Sequence, residues 1–167
     1  MTIASTAIKS SLYAREQNTA FFLAQEGIEA VVAIRNEYGL RHVANPAVPA
    51  VPAGSWVSNA NVTGCSDLTQ GCGLHFIDTD VTDNPRITCT TAATNPCRLY
   101  YNASAVRAVY SHTAAGVAPS KYSRQIFITP SAPGWEVTSL VTWQPNGTVP
   151  VKTVRLTTFL YNIYNIN

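Results

Sequence analysis

The chain reads as an α+β protein, one long N-terminal α-helix packed on an antiparallel β-sheet meander with disulfide-stapled loops. Three observations predict this. Residues 3–38 hold no proline and one glycine, Gly27, and they stop at Gly39, a residue suited to the position just past a helix end. Three strand-like segments close the chain, at 122–129, 135–143 and 149–160, with turn signals Pro130 to Gly134 and Pro145-Asn146-Gly147 between them. All four cysteines fall between Cys65 and Cys97, in a stretch of short strands and turns.

The helix is the first element, and its length is its main peculiarity. At 1.5 Å per residue it runs about 54 Å, whereas the rest of the chain makes a globule about 35 Å across. One half must therefore project and needs another partner. The C-terminal half, with residues 20–24 and 30–34, is apolar around much of its circumference, and Gln25, Glu26, Glu29 and Arg35 leave a narrow polar strip. A helix of that pattern is contacted on more than one side. Phe21, Phe22, Ile28, Val31 and Val32 are expected to pack it onto the sheet. In the N-terminal half, Ile3, Ala7, Ile8 and Leu12 form an apolar stripe among Thr and Ser, which reads as a packing seam for assembly.

The organisation that follows is a helix over 1–39, a Pro/Ala-rich connector over 40–55, and a β-rich head over 56–167. In the connector, Pro46, Pro49 and Pro52 recur at every third position, which favours stiff, extended backbone. In the head, residues 74–77 and 98–101 are strand candidates just after a cysteine. Cys65 and Cys72, and Cys89 and Cys97, form two local pairs whose spacings do not match a zinc knuckle. Two short-loop disulfides in an oxidising compartment are the expectation. Four cysteines allow three connectivities, and the local one is preferred because each pair flanks a turn-rich segment. In the last strand Lys152, Val154, Leu156, Thr158 and Leu160 share one face by period two.

Composition narrows the function classes. Only 12% of residues are charged against 46% hydrophobic, about half the usual charged share. An uncharged, hydroxyl-rich surface suits an extracellular protein. The net charge is +2 and no basic run exceeds two neighbours, so nucleic acid is not an expected partner. No apolar run approaches the roughly 18 residues a membrane span needs. His42, His75 and His112 stand in no nucleophile-elbow or metalloprotease context, and no catalytic residues are assigned. His42, just past the helix end, suits a partner of the helix dipole. Asp78, Asp80 and Asp83 with Asn84 are the best metal candidate, a loop of hard oxygen ligands for calcium. The loop lacks the central Gly and closing Glu of an EF-hand, so a solvated acidic turn is preferred and no cofactor is expected. Trp56, Trp135 and Trp143 could line a carbohydrate surface, although core packing is the simpler reading; the face taken by Trp143 is left open.

The helix carries a family likeness. The run from Ala14-Arg15-Glu16-Gln17 through Ala20-Phe21-Phe22-Leu23-Ala24-Gln25-Glu26-Gly27-Ile28-Glu29 to Ile34-Arg35 resembles the helix of type IV pilin-like proteins. It is most similar to a branch found in small-genome bacteria of the candidate phyla. Tyr122-Ser123-Arg124-Gln125-Ile126-Phe127-Ile128, Val141-Thr142-Trp143 and the strand from Val154 to Leu160 resemble later parts of the same branch. The likeness covers about half the residues, spread along the whole chain. It implies a non-enzymatic subunit of a cell-surface filament, serving adhesion, twitching motility or DNA uptake. Its implied partners are other pilin subunits in a helical filament, and the inner membrane through an apolar helix half upstream of Thr2. Residues 2–8 look like the stretch after that half, so Met1 is expected to be an artificial start of a truncated spine, and the chain alone a soluble monomer. A stand-alone cell-surface binding module, an adhesin or carbohydrate-binding domain, is the alternative.

Overall fold

A computed structural model describes residues 2–44, 55–58, 62–74, 86–89, 97–103, 109–112, 117–145 and 148–161, with side chains of the helix from residue 6 to 40. The helix α1 (Thr2–Ala44) is 43 residues long, about 64 Å. It runs straight through Gly39, five residues past the expected stop. Gly39 is itself buried in the helix, and Pro46 supplies the next barrier by disfavouring helical backbone at the residue before it. His42 thus sits inside the last turn rather than beyond it. The first part of the expected connector is helical, and residues 45–54 lie outside those described.

After a 3-10 turn at Ser55–Ser58 come, among the described residues, seven strands: β1 (Cys72–Leu74), β2 (Arg86–Thr88), β3 (Arg98–Asn102), β4 (Val109–Ser111), β5 (Ala118–Ser131), β6 (Gly134–Trp143) and β7 (Lys152–Tyr161). They form one antiparallel sheet. The meander β5-β6-β7 is its frame. Its register is unbroken from Tyr122 opposite Trp143 to Ser131 opposite Gly134, and from Trp143 opposite Lys152 to Gly134 opposite Tyr161. With β6 on one edge of β5, the short strands take the other. β3 pairs near Ser123 and β1 near Ile126, with β4 and β2 outside them. Strands β2 and β4, at three residues each, are too short to leave an alternating pattern in sequence.

Period-two alternation decides what faces α1. Ile126 and Ile128 of β5, Val137 and Val141 of β6, and Leu160 of β7 are buried in one layer. Val154, Leu156, Thr158 and Leu160 share this face as expected, the first three half-buried. Trp143 is in strict phase with Val137 and Val141 and is buried beside Ala20, Leu23 and Ala24. Trp56 is also buried, edge-on to Trp135 with ring centres 6.3 Å apart. Trp135 is half-buried against the same core.

The helix face that meets the sheet is built from small residues. Ala20, Leu23, Ala24, Gly27, Ala30, Val31 and Ile34 are buried, at the three- and four-residue spacing of one stripe. Ile28 and Val32 flank it, half-buried, and Val31 is fully buried, as expected. Phe21 and Phe22 do not pack on the sheet. They are 46% and 67% exposed, because their positions fall on the opposite side of the turn from Ala20, Leu23 and Ala24. The closest approach is at Gly27. A Cβ there would lie 2.5 Å from Ser139 Oγ and 2.7 Å from Ile126 Cδ1.

Both cysteine pairs are bridged locally, Cys65–Cys72 with Cα atoms 4.6 Å apart and Cys89–Cys97 with 4.9 Å. The first bridge ends on the opening residue of β1, and the second on the residue before β3. Around the first, Asp67 Oδ1 accepts from the Thr69 amide and hydroxyl, and Ile128 donates its N–H to Cys65 O. Gly71, with φ of 61°, closes this loop where a Cβ would meet Ile126 O at 2.7 Å. Thr69 therefore holds the Asp67 carboxyl below its usual range. Each bridge staples the loop that enters a strand.

Gly27→Ala tests the crossing. Alanine normally favours a helix by about 1 kcal/mol over glycine, but here the added methyl must displace Ser139 and Ile126. Urea unfolding is expected to show a net loss of about 1–3 kcal/mol; a stabilised variant would mean that the helix lies farther from the sheet.

Candidate assembly surface

Two attachments hold α1 on the sheet. The first is at its centre. Arg124 points from β5 into the helix–sheet layer with its side chain fully buried. Its Nη1 donates to Leu23 O of α1 at 3.0 Å, and its Nη2 donates to Leu74 O of β1 at 2.7 Å. Glu26 Oε1 stands 3.3 Å from Nη1 as the counter-ion. Burial pulls the guanidinium below its ordinary pKa, and Glu26 pulls it back. Arginine remains charged under such opposition, so three separate elements are tied to one cation.

The second attachment is one helical span earlier. The Glu16 carboxylate pairs with Lys121 of β5 and accepts from Trp143 Nε1 of β6 at 3.2 Å. Tyr122 donates its hydroxyl to Glu16 O at 3.3 Å. One turn further toward the N-terminus, Lys152 of β7 lies over the Tyr13 ring, 5.7 Å from its centre. Glu16, Lys121, Arg124 and Lys152 went unassigned in the sequence reading. Arg124 had a legible signal, because it shares the parity of Tyr122, Ile126 and Ile128 and so must point inward.

Beyond Tyr13 the helix leaves the sheet. Every residue from Thr6 to Arg15 is exposed, and the stretch before Tyr13 projects about 16 Å. The projection is shorter than the half of the helix that was expected, since the contact layer extends from Glu16 to Tyr38 along strands about 33 Å long. Ala7, Ile8 and Leu12 are exposed, Ile8 at 62% and Leu12 at 53%. Ile3 belongs to the helix, but its side chain is outside those described. Phe21, Phe22 and Leu40 add apolar surface on the outward side of the docked part. The projecting turns and the outer helix face together are the largest set of exposed apolar side chains along one described element.

The other candidates separate from this surface. Asp78, Asp80 and Asp83 lie outside the described residues, as does His75, and no metal-holding group occurs among the described ones. The side chain of His42 is not described. His112 is buried, its Nδ1 3.2 Å from Arg98 O, in a structural setting between β3 and β4. No helix among the described residues is long and apolar enough to cross a membrane. No protein-family model, curated protein or solved structure matches the chain.

Two predictions follow from the attachments. Glu26→Gln is expected to cost about 1–3 kcal/mol, above the ~0–1 kcal/mol of an ordinary surface pair, because it strips a buried cation of its counter-ion. In a double-mutant cycle with Arg124→Met the coupling should reach about 1 kcal/mol; additivity would show that Glu26 is merely a surface residue. Burial also raises the Tyr122 hydroxyl, against a hydrogen bond from Thr19, and raises that of Tyr110, with Tyr101 assisting. The unfolded chain then loses these protons first as pH rises past about 10. Their contribution to stability should be constant below that pH and fall above it, until the folded tyrosines ionise too. Tyr122→Phe, measured by thermal melting across the alkaline range, should flatten the slope.

Proposed function

We propose that the chain is a structural subunit of an extracellular filament of the type IV pilin kind, assembled through α1 and without catalytic activity. One observation carries the reading: a 43-residue helix is covered on one side by its own sheet and leaves Ile8, Leu12, Phe21 and Phe22 to solvent. A lone domain gains nothing from keeping such side chains in water, whereas burial against neighbouring copies releases about 25 cal/mol per Å². The layout supports this division of labour. The sheet with its two local disulfides forms a head, and the helix both anchors the head and presents apolar surface to its neighbours. With Trp56 and Trp143 buried and Trp135 half-buried against the core, the alternative of a carbohydrate-binding module has no comparable support.

Antibodies raised against the purified chain are expected to decorate thin surface filaments on cells of its source. Leu12→Glu with Phe22→Glu should abolish that decoration while changing the stability of the purified chain by no more than about 0.5 kcal/mol, since both sites are exposed. Label spread over the cell envelope without filaments would overturn the reading.

A further inference from the structure

The two disulfides sit in unlike surroundings. At the first, the left-handed backbone positions fall on glycines, Gly64 with φ of 96° before Cys65 and Gly71 with φ of 61° before Cys72. Its loop, residues 65–72, holds one carboxylate, Asp67, and no histidine. At the second, the left-handed residue is a cysteine itself. Cys97 has φ of 55°, and no other non-glycine residue among those described has a positive φ. Such a backbone is unfavourable for a residue with a Cβ, which crowds the following carbonyl oxygen. The bridge to Cys89 holds Cys97 there, together with the Arg124 N–H donated to Cys97 O. The other difference is an imidazole. Gly73, in the middle of β1, leaves a space that two neighbours share. A Cβ there would lie 3.0 Å from Cys97 Sγ and 3.0 Å from His112 Nε2. His112 follows β4, is buried, and sets its Nδ1 3.2 Å from Arg98 O. A carbonyl only accepts, so Nδ1 carries a proton, and Nε2 is the nitrogen that can take up or release one beside the sulfur.

We propose that Cys89–Cys97 is a thiol–disulfide exchange site, open to reduction by an external dithiol under conditions in which Cys65–Cys72 stays closed. One thiolate of the dithiol attacks a bridge sulfur and breaks the Sγ–Sγ bond. Its second thiolate resolves the mixed disulfide, and the dithiol leaves as its own disulfide. Two electrons and two protons thereby pass to Cys89 and Cys97. Cys89 keeps its proton on sulfur. Cys97 holds its electron pair as a thiolate with the proton on His112 Nε2, because an adjacent imidazolium favours the thiolate. A stabilised reduced form makes a disulfide easier to reduce. Release of Cys97 from its left-handed backbone works in the same direction, and the first bridge has neither advantage. Gly73 is what permits the arrangement, since a side chain at that position would occupy the space into which the sulfur and the imidazole both reach. The inference does not rest on filament assembly.

The test equilibrates the full folded chain with graded ratios of reduced to oxidised dithiothreitol, quenches in acid and alkylates the free thiols. Mass spectrometry of the peptides then reports each bridge separately. Cys89–Cys97 is expected to reach half reduction at a ratio about tenfold lower than Cys65–Cys72. The chain with Cys89–Cys97 alone open should show the ultraviolet absorbance of a thiolate at neutral pH. His112→Phe should remove that absorbance and shift half reduction of Cys89–Cys97 severalfold toward that of Cys65–Cys72, the control within the same molecule. Simultaneous opening of the two bridges, or earlier opening of Cys65–Cys72, would overturn the proposal without recourse to any variant. So would a missing thiolate signal in the parent chain. In His112→Phe, a shift of both bridges together, or no shift of Cys89–Cys97, would show a ring that only packs and would equally overturn it.

Discussion

The contact on which the rest depends is the crossing of α1 over β5, where Gly27 and Arg124 meet. Gly27 lets the helix come so close that a methyl group would collide with Ser139 and Ile126. That closeness brings the Leu23 carbonyl within reach of the Arg124 guanidinium, which also holds the β1 carbonyl of Leu74. The cation is out of water; its two terminal nitrogens are met by carbonyls while Nε has no partner, so the nearby counter-charge matters the more. Glu26, next to Gly27, supplies the charge. Close approach and buried cation require each other: a larger residue at 27 would lift the helix off the arginine, and without the arginine β1 would lose its tie to α1.

From this crossing the division of side chains on α1 follows. An inner stripe of Ala20, Ala24, Gly27 and Ala30 has little volume, so the sheet contributes the bulk through Ile126, Ile128, Val137, Val141 and Trp143. Leu23, Val31 and Ile34 fill the interface beside these small residues, whereas Phe21, Phe22 and Leu40 lie on the flank and outer face of the helix. The same closeness limits how far the sheet can follow the helix. Glu16 and Tyr13 make the last attachments at the rim, and beyond them the sheet offers no residue to cover Leu12 or Ile8.

Much of this architecture is legible in the sequence. The helix, the three-stranded meander and the local disulfides follow from proline-free length, period-two alternation and cysteine spacing. What failed is instructive in physical terms. Phe21 and Phe22 are the bulkiest apolar side chains of that stretch, yet their positions turn them away from the stripe of Ala20, Leu23, Ala24 and Gly27 that meets the sheet. The periodicity of Ala20, Leu23, Ala24, Gly27 and Val31 marked the correct face, and hydrophobic size pointed to the wrong one. Gly39 misled in the same way, since one glycine cannot stop a helix whose next barrier is Pro46. The ion pairs across α1 and the sheet were out of reach, because Glu16 is 105 residues from Lys121 and sequence spacing says nothing about their meeting.

The residues that resemble a pilin helix deserve a second reading in this light. Glu16 of the Ala14-Arg15-Glu16-Gln17 run holds the sheet rim, and Glu26-Gly27 makes the central crossing. In the segment from Tyr122 to Ile128, Tyr122 bonds Glu16 and Arg124 pairs with Glu26. These residues fasten a long helix to a meander, a mechanical task that any protein of this architecture must solve. The case for assembly has to rest on what those fasteners leave outside. That is the apolar surface of Ile8, Leu12, Phe21 and Phe22, which contributes nothing to the helix–sheet interface and is held in a fixed geometry by it.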